Sequence, residues 1–304
     1  MSKQEYHSNG KLLLTGEYLV LKGAKALALP LKYGQDLSVS PLQKSKEILW
    51  KTFVKNRLWF EATFDQELNI IDTTFTMVAQ KLQKILRASL ELNGLPVQAI
   101  SGNQVTSTIN FDIEWGFGSS SSLLSNIGYW LKVSPFQLQF ETSNGSGYDI
   151  AAARSEHPII YSLKNNQPVF TKADFDPDFK NHMYFIYLGK KQHSEESVEQ
   201  FNQNNISSQA IEEISEITEK AIEAKTISVF NDLLKRHNNI LSAILKKEDP
   251  GNTLFKDFKG VIKPLGAWGG DFIMATSTEG PEYVKSYFSG KKYEPVFSYK
   301  DLAK

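Results

Sequence analysis

The sequence contains no cysteine, which excludes disulfides and thiolate metal sites and leaves the redox compartment open. No run approaches the ~20 apolar residues that a membrane-spanning helix needs. The stretch Met1–His7 lacks the apolar core of a secretion signal. Neither sign of charge is in excess, with 34 Lys and Arg against 34 Asp and Glu. Global charge therefore gives no pull towards nucleic acid or an anionic membrane, although a local basic site for a small anionic substrate stays open. The two commonest nucleotide fingerprints are missing as well: there is no Gly-x-x-x-x-Gly-Lys-Ser/Thr, and no Gly-x-Gly-x-x-Gly between a strand and a helix. The default expectation is a cytoplasmic protein, monomer or homodimer; its 304 residues are 41% hydrophobic and 22% charged. That is ample for one large domain or two intimate ones.

The stretch that organises the chain is Glu114-Trp115-Gly116-Phe117-Gly118-Ser119-Ser120-Ser121-Ser122. It leads into Leu123, Leu124, Ile127 and Trp130, spaced along one face of a helix. A glycine turn ending at a helix start offers unpaired N–H groups and a positive dipole end, which suit a phosphate. The serine hydroxyls can cap the helix, bind phosphate or reach a metal. A plain Ser-capped helix after a glycine turn is the competing reading.

Upstream, Lys11–Thr15 reads as a short strand left by Gly16-Glu17, and Tyr18–Leu21 continues it to a turn at Lys22-Gly23. Ala26–Leu31 starts another strand. Residues 48–64 read as a hairpin turning at Lys55–Arg57, with Trp50, Trp59 and Phe60 as sheet packing. Phe75, Val78, Leu82, Ile85, Leu86 and Leu90 recur at helical spacing from Thr73 to Leu92, where Asn93-Gly94 ends the helix. Val97–Ile100 and Val105–Ile113 read as a strand pair. Ser134-Pro135 provides an N-cap and first helical residue.

Downstream, Pro158–Leu163 with Pro168–Thr171 reads as a hairpin, and Met183–Leu188 as a buried strand. The basic turn from Gly189 to Ser194 either meets an anionic substrate or is simply solvated. Two or three amphipathic helices span Ser207 to Lys247, with His237 structural or exposed. A glycine turn after Lys263 enters another strand. A helix over Pro281–Phe288 and a strand near Val296–Tyr299 close the chain.

Gly-Phe-Gly-Ser-Ser-Ser resembles the phosphate loop of the GHMP kinases, the galactose, homoserine, mevalonate and phosphomevalonate kinase superfamily, without the proline that usually precedes it. Three further strings resemble that family in the same order along the chain. Asn9-Gly-Lys-Leu-Leu-Leu-Thr-Gly-Glu-Tyr resembles its first motif, with Asn9 in place of proline. Gly145-Ser-Gly-Tyr-Asp-Ile-Ala-Ala-Ala resembles the phosphomevalonate kinase version of the aspartate string. Lys263-Pro-Leu-Gly-Ala-Trp-Gly-Gly-Asp resembles the third motif, with Leu265 for a hydroxyl residue and Trp268 for the central glycine.

The resemblance implies an α+β, two-lobed GHMP kinase fold: an N-terminal lobe like ribosomal S5 domain 2 over residues 1–155 and a ferredoxin-like C-terminal lobe over 156–304. It implies ATP and Mg²⁺ as cofactors and transfer of the γ-phosphoryl group to a small-molecule anionic substrate. Phosphomevalonate is favoured over mevalonate, on Gly-Glu-Tyr and the aspartate string. Another small alcohol or sugar is the alternative, and a non-catalytic ligand-binding relative is the rival from a different class.

By the same resemblance Asp149 is the base or acceptor-orienting carboxylate. Lys11 keeps it ionised and neutralises the transferring phosphoryl group. Gly116, Gly118, Ser119, Ser120 and Ser121 cradle the triphosphate. Ser120 and Glu141 hold Mg²⁺. Glu17, Tyr18, Ser146, Gly147, Gly266, Ala267, Gly269 and Gly270 shape the substrate side.

Overall fold

The computed structural model describes residues 3–43, 45–190, 198, 201, 206–266, 268 and 271–304. They form two units, each discontinuous in sequence: residues 1–10, 33–113 and 117–154 in the first, and 11–32, 114–116 and 155–304 in the second. Strands β1 (Gln4–Thr15) and β2 (Ala26–Pro41) contribute to both.

In the first unit, β3 (Ile48–Val54), β4 (Arg57–Phe64), β5 (Ile70–Thr73) and β6 (Asn103–Ile109) join the second half of β2 in the order β5-β4-β3-β6-β2. β3 and β6 run parallel, whereas the β3–β4, β4–β5 and β2–β6 pairs are antiparallel. The β3–β4 turn is two residues, Lys55 and Asn56, both at positive φ, as a tight hairpin following the strand twist requires. Ile48 and Trp50, two apart on β3, face the core. Helix α1 (Thr76–Leu92) lays Ala79, Leu82, Ile85, Leu86 and Leu90 into the same core. Burial of each such leucine or isoleucine contributes about 1.5–3 kcal/mol. Helix α2 (Ser119–Leu131) adds Leu124, Ile127 and Leu131. Helix α3 (Pro135–Thr142) begins with Ser134 Oγ accepting from the Gln137 N–H, and α4 (Tyr148–Ala153) follows a left-handed Gly147.

In the second unit, β7 (Ile159–Lys164) pairs with the start of β2 and with β8 (Gln167–Lys172). A separate sheet combines β9 (Met183–Tyr187), β10 (Val261–Pro264), β11 (Phe272–Thr276) and β12 (Val296–Ser298). Its helices are α5 (Ser208–Glu223), α6 (Ile227–Leu245) and α7 (Pro281–Gly290), and a short α8 (Tyr299–Leu302) ends the chain. The sheet order is β10-β11-β9-β12, antiparallel throughout. Along the chain this runs strand, helices, two strands, helix, strand, and with that sheet order it is the ferredoxin-like split βαβ arrangement. The fold class read from the sequence is therefore present in the structure. Among the described residues, no helix is long and apolar enough to cross a membrane.

Several local readings are corrected. Val97–Ala99 is a 3₁₀ turn entered from Pro96, not a strand. β6 already has β3 and β2 on its two sides, so no edge is left for such a strand to pair with. Phe75 precedes α1, is exposed, and packs on Trp59. Leu19–Lys22 is a 3₁₀ turn where an extended run was expected. The basic segment Lys191–Ser194, and Ala267, Gly269 and Gly270 of the third motif, lie outside the described residues.

Candidate active site

From Lys11 onward the first motif lies in the second unit, and it makes an unusual turn there. Gly16 has φ +85, and an added Cβ would sit 2.7 Å from the Ala26 side chain, so only glycine fits there. Tyr18 follows with φ 61 and ψ −47, and Leu19 N–H donates to Glu17 O at 2.6 Å. That is a γ-turn centred on a non-glycine residue with positive φ, a rare and strained conformation. The Tyr18 ring packs on Phe201, with centroids 5.0 Å apart.

Glu17 points inward, where both it and Lys263 are essentially inaccessible (1% and 0%). Lys263 Nζ donates to Glu17 Oε1 and, at 2.8 Å, to Pro264 O. Burial raises the Glu17 pKa and lowers that of Lys263, and in each case the partner's charge opposes the shift. His237 completes the cluster. Gly16 N–H donates to its Nε2 at 3.0 Å, which assigns the ring proton to Nδ1. Burial, and secondarily Lys263, push the His237 pKa well below its usual range, so the ring is neutral. Its 3.2 Å approach to Glu17 Oε2 is therefore not an ion pair.

Lys11, on β1 in the same unit, directs Nζ to Gly116 O at 3.0 Å. Gly116 has φ +66, and a Cβ there would lie 2.9 Å from Asp271 Oδ2. A cation thus reaches the carbonyl of this glycine, and the Asp271 carboxylate lies where its Cβ would go.

The remainder of the loop belongs to the first unit. Gly118, left-handed at φ 91, is the N-cap of α2 and provides no side-chain cap. The serines do not cap the helix either. Ser121 Oγ and Ser122 Oγ bond back to Gly118 O at 3.0 and 2.9 Å, and Ser122 also reaches Gln35 Oε1 at 2.7 Å. Asn126 Nδ2 donates to Gln35 O, and Ser8 Oγ is in reach of Ser125 and Asn126, anchoring the helix to β1 and β2. Ser121 is buried, Ser119 half-buried and Ser120 exposed. The first turn of a 13-residue helix therefore keeps its backbone donors clear of side-chain caps, as an anion site requires.

Asp149 sits in the first turn of α4, half-buried. Its Oδ1 accepts from Gln139 Nε2 at 3.2 Å and from Ile150 N–H at 3.1 Å. Ser146 and Gly147, just before it, are buried. Glu141 is exposed near the end of α3. Gly266 has φ +61, with open space where a Cβ would go. Trp268 is buried with φ 50, a left-handed backbone for a bulky residue.

Compared by sequence, no protein-family model and no curated protein matches the chain. Compared by structure, the chain is similar to Streptococcus pneumoniae phosphomevalonate kinase, solved in complex with phosphomevalonate and AMPPNP. The TM-score is 0.73 at 17% identity, over 97% of this chain and 99% of that one. Methanococcus jannaschii mevalonate kinase gives 0.70 at 17% identity, over 97% of each chain. The chain has the GHMP kinase fold. Lactococcus lactis galactokinase, solved with galactose, shares it at a TM-score of 0.65 and 13% identity, over 100% of this chain and 93% of that one. A fold shared at such identities leaves the acceptor open.

Within each unit of the GHMP kinase fold, the structure pairs Lys11 with the Gly116 carbonyl and gives Asp149 an amide partner. Sequence reasoning overlooked Gln139, named Lys263 only as a motif position, read His237 as structural or exposed, and left Asp271 without a role. Asp271 closes the third motif, so its position was a usable signal. Gln139 was hidden in an ordinary amphipathic helix.

Proposed function

We propose that the protein is an ATP-dependent small-molecule kinase. The observation that carries this reading is the loop from Gly116 to Ser122. Two left-handed glycines deliver the chain to a helix N-terminus free of side-chain caps, in a fold whose pneumococcal example was solved with phosphomevalonate and AMPPNP. Phosphoryl transfer needs positioning and charge stabilisation more than covalent chemistry. In this reading the backbone N–H groups at the start of α2, with Ser119, Ser120 and Ser121, hold the triphosphate. Lys11 neutralises developing charge, and Asp149 accepts or orients the proton of the acceptor hydroxyl. The amide of Gln139 fixes the orientation of the Asp149 carboxyl.

Mg²⁺ prefers hard oxygen donors and is ordinarily shared between one or two protein groups and the nucleotide's phosphates. Ser120 and Glu141 are both exposed and are donors of that kind, so they fit the ion. They would hold it beside the phosphates, where it would screen phosphate charge.

Phosphomevalonate is the favoured acceptor, ahead of mevalonate, on the Gly16-Glu17-Tyr18 turn and the Ser146–Ala153 string. A second reading, a binding protein without transfer activity, is favoured by one observation. Buried Trp268, with φ 50, stands where the family motif has its central glycine. ATP-dependent ADP release with phosphomevalonate, mevalonate and galactose separates the readings. Turnover on one acceptor supports the kinase, whereas measurable ATP binding with silence on all three favours the binder.

A further inference from the structure

The buried cluster of Glu17, Lys263 and His237 has a geometry unlike that of a ligand-facing group. Glu17 is sequestered, its Oε1 is engaged by Lys263, and the strained residue of the turn is its neighbour Tyr18. Lys263 lies at the end of β10, two residues before Leu265, whose N–H donates to Phe272 O at 3.0 Å. Its Nζ also takes the carbonyl of Pro264, the last residue of that strand. On the other side, His237 of α6 holds the N–H of Gly16. Asn238, next along α6, donates to Ile262 O and to Asp249 Oδ2, both at 2.8 Å. The γ-turn, α6 and β10 are therefore tied together by buried polar contacts.

From this geometry we infer that Glu17 is a positioning residue: its buried contact with Lys263, braced by His237, clamps the Glu17–Leu19 γ-turn to the strand that launches the Leu265–Gly266 loop. A residue with positive φ and a side chain is retained only where its surroundings over-determine it. The Glu17–Lys263 contact and the Gly16–His237 bond, on the two residues that lead into Tyr18, provide that constraint. The two glycine motifs held in this way are those that the proposed kinase reading gives to the substrate side, and the inference about activity rests on that reading. The clamp itself does not.

The test uses the full-length protein as Glu17→Gln, Lys263→Met and the double variant Glu17→Gln/Lys263→Met. Either single change leaves a buried polar group without its partner, whereas the double removes both charges, so folding stability returns towards wild type in the double. Turnover is expected not to return. kcat stays about tenfold to a hundredfold low, as a small misplacement of binding groups gives, with KM for the nucleotide within about twofold. Amide hydrogen exchange at Leu19 and Leu265 is expected to accelerate at least tenfold in the double variant while β9 and β11 keep their protection.

Wild-type kcat in the stable double variant would overturn the inference. So would unchanged exchange at both amides, or a raised acceptor KM at constant kcat, which would put Glu17 on the substrate itself. If the wild type transfers phosphate to no acceptor, the kinase reading fails, and the exchange data alone still decide whether the clamp exists.

Discussion

Asp149 and Glu17 are two carboxylates that each follow a glycine turn, and the chain treats them in opposite ways. Asp149 is half-buried, at the first turn of a helix, with an amide and a backbone N–H on one oxygen. Glu17 is buried against an equally buried lysine. The first stays partly open to solvent. The second gives up solvent for an internal partner and holds a strained turn. A carboxylate beside glycines is thus no guide to its role until its partner is known. A neutral, directional partner suits chemistry, and a buried opposite charge suits position.

The comparison can be broken at its strongest point first. Lys263→Met leaves the Glu17 carboxyl without its partner in the interior, which should cost about 3–5 kcal/mol in denaturant unfolding. A loss below about 1 kcal/mol would mean that Glu17 finds water in the folded protein. Gln139→Leu sharpens the other half. It removes the amide donor to Asp149, a hydrogen bond to a charged group worth about 1.5–3 kcal/mol. Turnover should fall roughly tenfold or more, with nucleotide affinity unchanged. Unchanged kcat would show that Asp149 needs no such support.

The smallest effect is a pH dependence. The His237 pKa is depressed in the folded state and returns to about 6.5 on unfolding. Its contribution is therefore fully present above pH 6.5, and it is lost as pH falls from there towards the folded value, because only the unfolded chain takes up the proton. Glu17, raised by burial from about 4.5, acts in the opposite sense: its contribution is lost as pH rises through its folded pKa. The difference between wild type and His237→Gln isolates the histidine. That difference should shrink as pH falls below 6.5, by up to about 1.4 kcal/mol per pH unit. A constant difference from pH 7.5 to 5 would mean that His237 titrates normally when folded.

Much of the fold was legible because it is written in short-range signals. Helical spacing marked α1, α5 and α6, Ser134-Pro135 marked the start of α3, and the turn at Lys55-Asn56 marked the β3–β4 hairpin. Four glycine motifs in order carried the GHMP resemblance, and the fold agrees with it. What failed depended on neighbours far away in sequence. Val97–Ile100 has strand composition, but β6 offers it no free edge. Tyr18–Leu21 looks extended, but the buried grip on Glu17 and Gly16 forces a turn.

The residues proposed for the site were readable as motif positions, and their surroundings were not. Gln139 lies ten residues before Asp149, and nothing in its helix marks it as that carboxylate's partner. His237 and Lys263 meet Glu17 across more than 200 residues of sequence. No local pattern carries that pairing.

The central claim is that the accessible carboxylate does the chemistry. The most direct measurement is ATP-dependent phosphoryl transfer to phosphomevalonate by wild type and Asp149→Asn, side by side, with nucleotide binding as the control. The account predicts turnover by the wild type and a loss of about 10²–10⁴-fold in the variant, at nucleotide affinity within a few-fold. Turnover that survives Asp149→Asn would contradict it.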